Sequence, residues 1–178
     1  MAAAMECRSA NSLAAFLAGL QAGMVGVWWM LAWMGASAVW QLRSFWTPEN
    51  LMASVFYGNA AIRPGFAAST VSGLALYVLL YSLLGAGFAM AVGRRLPRPR
   101  LALASMAFAL CWYYAAFHLA AKAVAPIVAL LDTERTTVLG HAIYGALLAR
   151  FPAYLPHDTE PPVPIPPEIE SPASEPPP

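Results

Sequence analysis

FAASTVSGLALYVLLYSLLGAGFAMAVG, residues 66–93, contains no Asp, Glu, Lys or Arg. A helix needs about 20 apolar residues to cross the hydrocarbon of a bilayer, and this stretch exceeds that length. Three further stretches are equally free of charge, residues 13–40, 101–121 and 136–149. Each is bounded by charges, prolines or both, and only the last is shorter than a spanning helix requires. The pattern predicts an all-α membrane protein with four transmembrane helices in an antiparallel bundle.

Composition agrees. Hydrophobic residues make up 60% of the chain and charged residues 11%, where a soluble domain carries about 25% charged residues. Ten basic residues against nine acidic ones give no basic surface for nucleic acid. In 178 residues there is room for a cytoplasmic N-terminus over 1–11, a membrane domain over 12–151 and a tail over 152–178. Cys7 lies in the leader and Cys111 inside the third run, so a disulfide between them is not expected.

The first run has two features of a signal peptide, a basic start at Arg8 and small residues at Ala36, Ser37 and Ala38. Its apolar span is far longer than the roughly 7–15 residues of a secretory h-region, which makes it a membrane helix. Orientation follows from Lys and Arg near the span ends. RRLPRPR, residues 94–100, concentrates four arginines between the second and third runs, and Arg8 and Arg150 fall on the same side. Arg43, Arg63, Lys122 and Arg135 fall on the other. The bias places both termini in the cytoplasm.

The spans are expected at about 12–41, 67–93, 100–125 and 134–150. Pro97 and Pro99 suit the entrance of the third, which should end near Pro126. Asp132 and Thr133 suit the N-cap of the fourth, with Glu134 in its first turn. In the first long loop, Thr47 as N-cap, Pro48 at the first helical position and Gly58 as terminator predict a short interfacial helix over 48–57. Leu51, Val55 and Phe56 would form its apolar side, and Trp46 and Tyr57 suit the headgroup level. Glu49 and Asn50 are its candidates for polar work.

Helices in lipid associate by close packing, so small residues mark the contacts. The first helix presents Ala15, Gly19, Gly23 and Gly26; the second Ser82, Ala86, Ala89 and Gly93; the third Ser105, Ala109, Ala116 and Ala120. Trp29, Trp33 and Trp40 lie on another side of the first helix, facing lipid, a partner subunit or a pigment. His118 and His141 would lie at similar depth on neighbouring helices, with Tyr114 one turn from His118 and Gly145 one turn from His141. Two imidazoles so placed are candidate cofactor-binding residues for a haem iron or a quinone; the alternative is that each hydrogen-bonds a nearby Tyr, Ser or carbonyl.

No HExxH, GxSxG or phosphate-binding glycine loop occurs, and no acid pair lies inside the spans, so neither catalytic nor metal-ligating residues are assigned. A transporter should show broken helices or buried charges at mid-membrane, and the uninterrupted runs predict neither. The tail holds eleven prolines, five acidic residues and no lysine or arginine over 152–178. It is expected to be disordered and extended, in part as polyproline II.

FWTPENL at 45–51, FYG at 56–58, a glycine-rich second helix and GHAIYG at 140–145 together resemble small uncharacterised bacterial four-helix inner-membrane proteins. That resemblance implies the bundle and no activity. The expected role is a non-catalytic accessory or interaction subunit of a membrane complex, in contact with the lipid bilayer and with partner subunits or further copies of itself. A haem- or quinone-binding electron-transfer subunit and a small transporter or oligomeric channel are the alternatives.

Overall fold

The computed structural model describes residues 2–92, 96–121, 128 and 133–156, the side chains of 2–10, 120 and 121 excepted. Gly93, Arg94, Arg95, Lys122, Pro126, Asp132 and the tail beyond 156 lie outside the described residues. Among the described residues every regular element is helical. In order they are α1 (Ala2–Trp40), α2 (Thr47–Tyr57), a 3₁₀ turn (Gly58–Ala61), α3 (Ala68–Val92), α4 (Arg98–Tyr114) with a π-helical continuation (Ala115–Ala121), α5 (Glu134–Leu148) and a second 3₁₀ turn (Phe151–Tyr154).

Among the described residues three stretches are long and apolar enough to cross a membrane, Asn11–Trp40, Ala68–Val92 and Arg98–Leu119. The fourth run forms α5, whose 15 residues reach only about 22 Å at the helical rise. Two boundaries differ from expectation. α1 begins ten residues before the expected start, at Ala2, and the third helix does not stay α-helical but widens to π geometry after Tyr114.

The outer surface is unlike that of a water-soluble bundle, while the interior combines an apolar core with buried polar groups. Leu17, Trp28 and Trp29 on α1, Leu79 and Leu83 on α3, and Leu103 and Leu119 beyond it point outward. Thr70, Ser82, Ser105, Thr137 and His141 are buried. Hydrocarbon explains both halves of this pattern: lipid tails solvate leucine as well as another leucine does, whereas a polar group finds a partner only inside the protein.

Small residues decide where the helices touch. A Cβ on Gly19 would stand 2.5 Å from the Gly85 carbonyl, and one on Gly85 would stand 2.8 Å from the Gly23 Cα. At this crossing α1 and α3 meet backbone to backbone, with Ala86 and Ala89 fully buried beside it. The three-residue step from Gly23 to Gly26 turns the stripe to a different neighbour, because a Cβ on Gly26 would lie 2.8 Å from the Tyr144 ring of α5. The expected packing residues Gly19, Gly23, Gly26, Ala86 and Ala89 therefore serve two interfaces. α1 packs against both α3 and α5, and α4 packs on α5, where Gly145 faces the backbone of Ser105 and Met106. Phe88, Phe108 and Phe151 close the end where α3 gives way to α4, with ring centroids 5.1 Å and 6.2 Å from Phe88.

Candidate functional site

Two clusters of buried polar side chains occur in the bundle. The first is centred on Tyr81, midway along α3. Its hydroxyl lies 2.6 Å from His141 Nε2, and His141 Nδ1 lies 2.7 Å from the Thr137 carbonyl one turn earlier on α5. A carbonyl can only accept, so Nδ1 carries the proton and Nε2 accepts from the Tyr81 hydroxyl. The Tyr144 hydroxyl in turn donates to the Tyr81 carbonyl at 2.7 Å. Two hydrogen bonds thus join α3 to α5 where no water can substitute.

This geometry bears on the expected cofactor ligands. Both nitrogens of His141 are engaged within the protein, so iron ligation would require breaking one of these bonds. His118 lies in the π segment and stacks on the Tyr114 ring at 5.4 Å. His118 and His141 are brought together only through Tyr113, whose ring centroid is 6.2 Å from the first and 5.2 Å from the second. Gly145, one turn from His141, is packed against the α4 backbone. No group of three metal-ligating side chains occurs among the described residues. His141 thus joins α3 to α5, while His118 Nε2 is buried without a hydrogen-bond partner.

We expect Tyr81→Phe to lower stability by about 1–2 kcal/mol, since it removes one bond and leaves His141 Nε2 bare. Unfolding in mixed dodecylmaltoside and dodecyl sulfate micelles measures this loss. An unchanged midpoint would mean that the bond contributes nothing.

The second cluster lies at the end where α1 stops and α2 begins. α2 starts at Thr47, one residue earlier than expected, with Trp46 at the cap position; Thr47 Oγ1 donates to the Ser44 carbonyl at 2.6 Å instead of capping. Gly58 ends the helix at φ +55°, as its residue type requires. The apolar side read as Leu51, Val55 and Phe56 splits: Leu51 is buried, while Val55 and Phe56 face outward. Turned inward are Glu49, Asn50, Ala53 and Ser54, on the face toward α3. Gly73 permits this seating, because a Cβ there would overlap the Glu49 carbonyl.

Asn50 is the central clasp. Its amide donates to the carbonyls of Arg63 at 2.9 Å and Gly65 at 3.0 Å, and its oxygen accepts from Thr70 Oγ1 at 2.5 Å. Thr70 Oγ1 also accepts from the Ala67 N–H at 2.9 Å, capping the first turn of α3. Glu49, beside it, is only 2% exposed, and its Oε2 has no hydrogen-bond partner. Burial pushes this carboxyl up to about 7, against the lowering effect of a backbone N–H bond. Trp46 stands between the rings of Phe45 and Phe66, at 5.2 Å and 5.1 Å. Tyr57 is exposed, its hydroxyl 3.1 Å from Ser72 Oγ.

A third set of polar contacts joins α1 to α5 at the same end. Thr133 Oγ1 donates to Gln41 Oε1 at 2.8 Å, and Gln41 Nε2 donates to Thr136 Oγ1 at 3.3 Å. Thr133 occupies the cap position of α5 without capping it, its hydroxyl being spent on Gln41. Trp33 departs from the outward tryptophan row: it is half-buried and donates from Nε1 to the Thr136 carbonyl at 3.1 Å. Trp29 and Trp40 remain exposed. Cys111 is an exposed free thiol.

Sequence reading offered a Tyr or a carbonyl as the alternative partner of each histidine but did not single out Tyr81 and Thr137 for His141, Tyr144 as the donor to the Tyr81 carbonyl, or Thr70 as the partner of Asn50. The available signal was polar side chains recurring inside charge-free runs, each of which needs a partner once buried. No protein-family model, curated protein or solved structure matches this chain.

Proposed function

We propose that this chain is a non-catalytic accessory or interaction subunit of a bacterial inner-membrane complex, a multi-pass antiparallel bundle of four helices with both termini cytoplasmic. The observation that carries this reading is the open face of α4. Of the 18 most apolar consecutive residues of that span only 22% are buried, against 39% for the α1 and α3 spans. Leu103, Met106, Tyr114 and Leu119 line its exposed side, the kind of surface another transmembrane helix covers by van der Waals packing.

A photo-crosslinking residue at Leu103 or Leu119 is expected to give a discrete adduct with one membrane protein in native membranes. The same residue at Leu79 or Leu83 on α3 should give lipid adducts only. Lipid adducts alone from all four positions would remove the interaction role. A reporter that is active only in the periplasm, fused after Pro178, is expected to be silent, and activity there would overturn the orientation.

A further inference from the structure

We propose that Glu49 is a proton-binding site which controls the seating of α2 on α3: neutral, it lies sealed in the seam between them, and ionised, it drives that seam open. The proposal extends the structural description of α2 and is independent of the accessory role.

The geometry has three parts. Glu49 is almost wholly enclosed, and Oε2 faces no donor. A carboxylic acid tolerates such an enclosure far better than a carboxylate, because removing a full charge from water costs several times more than removing a neutral group. The seam beside it has no slack, since the Glu49 carbonyl is set against Gly73 where even a methyl group does not fit. And α2 is joined to α3 by a ten-residue connection, Gly58 to Ala67, whose fold depends on the Asn50 clasp next to Glu49. A charge at position 49 therefore acts on a small element that can move as a unit.

Among the described residues, the groups around Glu49 leave its Oε2 without a hydrogen-bond partner. On α3 the titratable side chain one turn from Gly73 is Tyr77, and residues 66–93 contain no acid or base. α1 is charge-free over 13–40. The cations of the flanking turns are Arg43 and Arg63; Arg63 donates from Nε to the Ala60 carbonyl at 3.1 Å, and no cation offsets the desolvation that raises the Glu49 carboxyl. The sign follows from this displacement. With the seated carboxyl at about 7 and its ordinary value at 4.5, the seated state binds the proton more tightly than the open state. Seating is at full strength below 4.5, weakens as pH rises, and has lost this contribution above about 7.

The test uses the full chain in lipid nanodiscs and the apolar reagent dicyclohexylcarbodiimide, which modifies protonated carboxyl groups in apolar surroundings. Mass spectrometry is expected to find Glu49 labelled at pH 5.5 and several-fold less at pH 8.5. Deuterium exchange over 47–57, corrected for intrinsic rates, should show α2 losing protection over the same interval in the wild type. Glu49→Gln, which keeps the shape and cannot ionise, should hold α2 protected at both pH values. Absence of labelling at Glu49, labelling that does not fall with pH, or α2 protection that changes equally in wild type and E49Q would each overturn the proposal. The wild-type labelling profile decides the matter even if E49Q fails to fold.

Discussion

Gly85→Leu is expected to abolish assembly of the bundle. The Cβ alone would stand 2.5 Å from the Gly19 carbonyl and 3.1 Å from the Gly23 backbone nitrogen, so the clash is with the α1 backbone at two successive turns and no rotamer change relieves it. Either α1 and α3 separate or the chain abandons the crossing, at a cost on the order of 3 kcal/mol or more. That is a large share of the stability of a protein this size. Protease resistance in dodecylmaltoside and a monodisperse size-exclusion peak should both be lost. Gly87→Leu is the control, because nothing lies within 4 Å of a Cβ at Gly87 and the added side chain enters lipid. If both variants behave like the wild type, the α1–α3 crossing is not where the structure places it.

Asn50→Ala is expected to loosen the connection between α2 and α3 while leaving the long helices intact. The substitution deletes bonds to the Arg63 carbonyl, the Gly65 carbonyl and Thr70 Oγ1. At about 1 kcal/mol each, with Thr70 left buried beside a void, the loss comes to roughly 2–3 kcal/mol. Deuterium exchange over 58–67 should accelerate at least tenfold while exchange in α3 beyond Gly73 is unchanged. Equal protection in variant and wild type would show that the clasp is ornamental.

The long helices were legible in the sequence because charge-free length is read directly, and the small-residue stripe on α1 was legible because only glycine permits backbone approach. The rest was hidden for identifiable reasons. Gly23 and Gly26 look like one stripe in sequence, yet the rotation between them assigns one to α3 and the other to α5. His118 and His141 look like a pair because they are the only two histidines in the charge-free runs, but a histidine is satisfied by whichever hydroxyl faces it, and Tyr81 sits 60 residues away from His141 along the chain. On α2 the ordinary rule of apolar side inward failed because the surroundings are themselves apolar; Asn50 turns in to bond the Arg63 and Gly65 carbonyls and Thr70 Oγ1, and Glu49 is buried beside it with Oε2 unpartnered. Proline and glycine signals placed the ends of α2 within a residue.

The change of pitch after Tyr114 gives the upper part of α4 a length tolerance that its lower part lacks. Below it, Ser105 and Ala109 interlock with Gly145, and a single inserted or deleted residue would rotate that ridge by about 100° out of its groove. Above it, an i→i+5 turn has already absorbed one surplus residue of this kind. Indels in this protein should thus be tolerated around Ala115–Ala121 and rejected a turn or two earlier, so the wide coil works as an expansion joint between a fixed seam and the chain beyond.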